Sequence, residues 1–88
     1  MSGAVVEREV EIAGELGLHA RPAAEFSARA GRFGCDVALI KDGRAVDAKS
    51  VLLVLTLDVR QGDRVIVRAV GDAADRAVDE LTALIGRS

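Results

Sequence analysis

Apolar and polar residues alternate from Val6 to Ile12 (V-E-R-E-V-E-I), setting Val6, Val10 and Ile12 against Glu7, Glu9 and Glu11. This two-residue period predicts a half-buried strand, with Arg8 on its apolar side snorkelling from the edge. The loop A-G-E-L-G-L follows, broken by Gly14 and Gly17. From Ala20 to Ala30 the period changes to that of a helix, and Ala23, Phe26, Ser27 and Ala30 form its inward stripe. Pro22 falls in the first turn, where a missing N–H costs nothing, and Gly31 ends the helix. Cys35 to Lys41 reads as a strand, Asp42-Gly43 as a two-residue hairpin turn, and Arg44 to Asp47 as the return strand. The run after Ser50, V-L-L-V-L-T-L, cannot be assigned by period alone. Ser50 as a cap and the polar flanks favour a short apolar helix over Val51 to Leu57. Gln61-Gly62-Asp63 makes a turn before a strand from Arg64 to Val70. Asp72 is then expected to cap a last helix from about Ala73 to Ile85, with Ala74, Ala77, Val78, Leu81 and Ile85 facing inward.

The order β-α-β-β-α-β-α, with short hairpin loops and segregated helices, predicts the α+β class: an antiparallel sheet covered on one face. Residues 1–88 are expected to form one domain. The same order suits a ferredoxin-like ligand-binding module, so architecture alone does not assign a function.

Composition narrows the choice. The formal net charge is −2, with 12 Lys+Arg against 14 Asp+Glu, which argues against a general nucleic-acid binder. Trp and Tyr are absent, which removes the usual stacking platform for single strands. Cys35 is alone, so neither an intramolecular disulfide nor a cysteine-based zinc site is expected. At the start of a strand it reads as a small apolar residue. No apolar run approaches the roughly 20 residues of a membrane-crossing helix, and the N-terminus turns acidic where a signal peptide needs an apolar core. The expectation is a soluble cytoplasmic protein.

One stretch carries chemistry: Gly17-Leu18-His19-Ala20-Arg21-Pro22-Ala23. It sets the only histidine immediately before a helix. Unpaired N–H groups and the positive dipole end there form a ready anion site. That positive end disfavours a second positive charge on the ring and leaves the imidazole a nucleophile. Arg21 adds a cation suited to a phosphate dianion. Nucleophile, cradle and cation coincide, as a histidine that takes and gives a phosphoryl group requires. The plainer reading has His19 as a helix cap or a solvated residue, Arg21 as a surface charge and Pro22 as a helix starter. Spacing does not choose between them.

G-L-H-A-R-P-A followed by A-E-F closely resembles the active-site segment of the HPr family, the histidine-containing phosphocarriers of the bacterial phosphoenolpyruvate:sugar phosphotransferase system. The likeness extends over nearly the whole chain, including A-K-S before the short helix and the Q-G turn before the fourth strand. It implies an open-faced β-sandwich, with three helices on one side of a four-stranded antiparallel sheet. It also implies that His19 accepts a phosphoryl group through Nδ1 and that Arg21 contacts the phosphate. Phosphorylated enzyme I would be the donor and enzyme IIA components the acceptors. Such a chain is a stoichiometric carrier rather than a catalyst, needs no cofactor or metal, and is expected to act as a monomer.

Ser50 matches a second family position, at which an ATP-dependent kinase phosphorylates HPr in many Gram-positive bacteria. A phosphate there would add negative charge beside a docking surface and slow transfer to His19. Ser50 is equally well read as an N-cap, and the helix after it departs from the regulated members' sequence. Leu16 stands where many relatives carry Asn, Ser or Thr; others read L-G-L-H as here, including carriers of the nitrogen-linked branch. A regulatory module that binds a kinase or a transcription regulator is therefore the alternative reading. Val51 to Leu57 holds six apolar side chains, too many for one buried stripe, so some must face a partner. The resemblance places Ala20, Arg21, Ala24, Val51, Leu52 and Leu55 on that surface, while Leu53 and Leu57 are expected to complete the core.

Overall fold

The computed structural model describes residues 4–86. The observed order is β1 (Ala4–Glu11), α1 (Ala20–Ala30), β2 (Asp36–Lys41), β3 (Arg44–Asp47), α2 (Val51–Thr56), β4 (Arg64–Gly71) and α3 (Ala74–Ile85). The strands form one antiparallel sheet in the order β1-β4-β2-β3. This is the α+β architecture the sequence predicts.

Alternation decides which side of the sheet is dry. Val65, Val67 and Ala69 of β4 and Val37 and Leu39 of β2 are buried, and they share a core with Phe26, Ala30, Val54, Val78 and Leu81 from the helices. Val6 and Val10 of β1 pack on its margin. Arg8, between them, turns toward α3, where its guanidinium meets Asp79 at 2.6 Å and donates to Thr82 Oγ1 at 3.3 Å. On the other face of the sheet, Arg64 pairs with Glu9 at 3.8 Å and Arg68 with Glu7 at 3.5 Å. Opposite charges across neighbouring strands keep that face soluble without a covering layer.

The helix α1 buries Ala23, Phe26, Ser27 and Ala30, the expected stripe. Gly31 ends it in right-handed geometry (φ −65°), so the conformational freedom of glycine is not what stops the helix. Asp42 and Gly43 at the β2–β3 turn both have positive φ (52° and 80°), the requirement of a hairpin turn matched to strand twist.

Two sequence expectations fail. Asp72 does not cap α3: the N-cap residue is Ala73, at φ 60°, with no side-chain hydrogen bond. The chain reverses within two residues of β4, and the left-handed Ala73 leaves Asp72 outside the first turn. Asp75, inside that turn, is the acid that complements the helix dipole. Leu53 does not complete the core but is 42% exposed, while Val54 is fully buried. A helix of only six residues turns a narrow face inward, and that face is centred on Val54 and the following Leu57.

Candidate functional site

His19 is the N-cap residue of α1, with extended backbone (φ −115°, ψ 154°), and its side chain does not cap the helix. No acidic residue occupies the first turn, and Pro22 has no N–H to offer there. Ala20 follows with φ 49°, a left-handed conformation that costs an L-residue about 1–2 kcal/mol. The helix opening is thus uncapped by side chains and slightly strained. Arg21 is exposed and makes no ion pair or side-chain hydrogen bond with another described residue. Its guanidinium is open to an incoming anion.

Two loops lock together beneath the histidine. Leu18, buried, donates its backbone N–H to the Val59 carbonyl at 2.9 Å, and Gly62 N–H reaches the Ile12 carbonyl at 2.9 Å. The Gln61 side-chain amide donates to the Ala13 carbonyl at 3.1 Å. Gly17 (φ 59°) sits so close to Val59 and Arg60 that a Cβ there would overlap the Val59 carbonyl. Glycine is required at this point by both contact and conformation.

This lock brings Asp58 to the histidine. His19 Nε2 lies 3.2 Å from Asp58 Oδ1, with the two side chains 43% and 54% exposed. The second carboxylate oxygen of Asp58 takes a hydrogen bond from Arg60 Nη2 at 3.0 Å. This bond, followed by the charges of Arg60, His19 and Lys41, holds the Asp58 carboxyl below its usual range despite opposing desolvation. Lys41 Nζ donates to the carbonyls of Leu57 (3.2 Å) and Asp58 (2.8 Å) and pairs with Asp63 at 3.0 Å. Glu15, Leu16, His19, Asp58, Arg60 and Gln61 line an open depression around the ring.

The sequence singles out His19 and Arg21 as candidates but not Asp58 or Arg60, which the structure sets around His19. The signal available was an Asp between two apolar residues, Leu57 and Val59, just before the Gln61-Gly62 turn. Asp is among the few residues that tolerate the left-handed backbone found there (φ 50°).

Of the proposed docking residues, Ala20, Ala24 and Leu52 are exposed, the last by 76%, and Val51 and Leu55 are half-buried. The helices α1 and α2 are in contact, and Ala20 and Ala24 lie on the helix that follows His19. Ser50 caps α2, its Oγ accepting from Leu53 N–H at 3.3 Å. No described cluster of His, Cys, Asp or Glu could hold a metal ion, and no described helix is long and apolar enough to cross a membrane.

The chain is 40% identical to the phosphocarrier protein HPr of Vibrio cholerae over 79 residues, covering 90% of this chain and 93% of that one. It is 41% identical to the HPr-like protein Crh of Bacillus subtilis over 81 residues, covering 92% and 95%. A crystal structure of a phosphocarrier protein HPr from Bacillus anthracis superposes with a TM-score of 0.91 at 35% identity, over 93% of this chain and 98% of that one. Residues 6–87 match the family model described as the HPr component phosphorylation site of the phosphotransferase system. By sequence and by fold, this chain belongs to the HPr family of the phosphotransferase system.

Proposed function

We propose that the protein is a stoichiometric phosphoryl carrier that takes a phosphoryl group from phosphorylated enzyme I onto His19 Nδ1 and passes it to enzyme IIA components. The observation that carries this reading is the placement of His19, outside the helix with Nε2 3.2 Å from the Asp58 carboxylate. A neutral imidazole that gives its Nε2 hydrogen to Asp58 keeps its lone pair on Nδ1. That lone pair attacks phosphorus, the N–P bond forms, and the bond from phosphorus to the donor breaks, its electron pair leaving with the donor. The ring then carries positive charge beside the Asp58 carboxylate, which offsets it. In this reading Arg21 contacts the phosphoryl oxygens, at a helix opening that has no side-chain cap and no acidic residue in its first turn. Transfer to the acceptor is the reverse displacement, so the carrier returns unchanged.

Docking falls to Ala20, Ala24, Val51, Leu52 and Leu55, around the apolar end of α2. A carrier that serves several partners in turn works through small contacts that dissociate quickly. The regulatory reading rests on Ser50, half-buried at the start of α2 beside that apolar face. Phosphorylation there would end its capping role as a hydroxyl and place negative charge where partners dock.

The direct test is to incubate the protein with enzyme I, Mg²⁺ and phosphoenolpyruvate and record intact mass beside His19→Ala. One acid-labile phosphoryl group on the wild type and none on the variant is the expected result. An unmodified wild type with a competent enzyme I overturns the carrier reading. Incubation with ATP and an HPr kinase, with Ser50→Ala as control, tests the regulatory one.

A further inference from the structure

We infer that Asp58 is a positioning residue for His19: it holds the ring hydrogen on Nε2 and so directs phosphoryl attachment to Nδ1. The inference rests on the carrier reading for its purpose, although the ring geometry it asserts can be measured without any transfer. An imidazole alone presents two nitrogens of comparable reach, and a carrier that reacted at either would present its phosphoryl group in two places. Something must distinguish them. Asp58 Oδ1, 3.2 Å from Nε2, engages one ring nitrogen. An ionised carboxylate accepts hydrogen bonds and cannot donate one, so the neutral ring facing it carries its hydrogen on Nε2.

The carboxylate is built into place. Oδ2 is held by Arg60 at 3.0 Å, which leaves Oδ1 for the ring. The Asp58 backbone adopts φ 50°, and its carbonyl is tied by Lys41 Nζ at 2.8 Å. The histidine loop is fixed to the next residue by the Leu18–Val59 backbone bond at 2.9 Å. Both halves of the pair are therefore anchored to the same short stretch of backbone. A carboxylate that orients an imidazole and sets its tautomer is a device that catalytic triads also use. Here it would act on a histidine that is itself the nucleophile. Asp58 touches neither donor nor phosphorus; its effect passes through the ring.

Two variants separate positioning from simple support of the turn. Asp58→Gly removes the carboxylate and accepts the left-handed backbone, so the loop keeps its shape. Asp58→Asn keeps the volume but introduces an amide donor that can face an unprotonated Nε2. Ring ¹⁵N chemical shifts of His19 at alkaline pH report the ratio of Nε2–H to Nδ1–H. A hydrogen bond to a charged, half-exposed group biases such a ratio by about tenfold. The ratio is expected to fall by about that factor in Asp58→Gly and further in Asp58→Asn. Phosphoramidate, a small donor that needs no enzyme I, then tests regiochemistry. The wild type is expected to give the Nδ1-linked product alone, and Asp58→Gly a mixture of both. Ratios within twofold of one another and a single product in both proteins would overturn the inference, leaving Asp58 as a turn residue. Failure of enzyme I to label the wild type, with the tautomer shift intact, would overturn the carrier reading and leave the ring geometry standing.

Discussion

Replacing Gly17 with alanine should damage the protein more than any other single methyl added at the site. The new Cβ would overlap the Val59 carbonyl and lie 2.8 Å from Arg60 Cα, both backbone atoms that cannot rotate away. A left-handed alanine (φ 59°) costs about 1–2 kcal/mol. Forcing two packed backbones apart costs about 1–3 kcal/mol more. The sum, about 2–5 kcal/mol, is a large share of the roughly 5–15 kcal/mol that holds a domain folded. With a urea m-value of about 1 kcal/mol/M for a chain this size, the midpoint should fall by about 2 M or more. Unfolding must be followed by circular dichroism, because the chain has no Trp or Tyr to report by fluorescence. Gly14→Ala, three residues earlier with nothing within 4 Å, is the control and should stay within about 0.5 kcal/mol. A Gly17→Ala loss below about 1 kcal/mol would refute the argument, since the two loops would then be free to separate. The ring resonances of His19 should move in the same variant, because the separating loops carry His19 and Asp58.

Ser27→Ala should raise stability by about 1 kcal/mol in the same urea titration, because its buried Oγ has no hydrogen-bond partner and alanine suits a helix better; a loss would mean that the hydroxyl is satisfied after all. Ala73→Gly should also stabilise, by about 0.5–1 kcal/mol, by relieving the left-handed N-cap of α3, and an unchanged melting temperature would count against strain there. Ser50→Ala should cost about 1 kcal/mol through loss of the α2 cap, and Ser50→Asp should recover most of it. Asp63 is held below its usual range by the hydrogen bond from Arg60 N–H and then by Lys41. A carboxyl lowered by folding stabilises fully above its unfolded pKa, and that contribution is lost as pH falls through the folded value. Asp63→Asn should therefore be less stable than wild type near pH 7, with the gap closing on acidification below the carboxylate range. A pH-independent gap would show that the hydrogen bonds, not the charge, matter.

Local periodicity explains why so much of the fold was legible. In α1, apolar spacing and the Pro22 start name the four buried residues, and the Asp42-Gly43 pair sets the hairpin whose two residues both have positive φ. What was missed depends on backbone geometry that no spacing encodes. Asp72 looks like a cap until Ala73 turns left-handed and moves it out of reach. Leu53 looks like core because its neighbours do, yet a helix this short has room for few inward positions. His19 and Arg21 could be singled out because the residues that suggest the chemistry are contiguous. Asp58 was not, because only the docking of one loop on another brings it beside His19.

The order β1-β4-β2-β3 also imposes a timetable on synthesis. Among the described residues the strand bonded to β1 is β4, whose residues begin about 60 positions later, and ribosomes add roughly 5–20 residues per second. For several seconds the first strand has no neighbour to pair with, and His19 emerges well before the carboxylate that faces it. Until β4 closes the sheet, a nascent chain holds His19 without the neighbours that surround it in the folded protein.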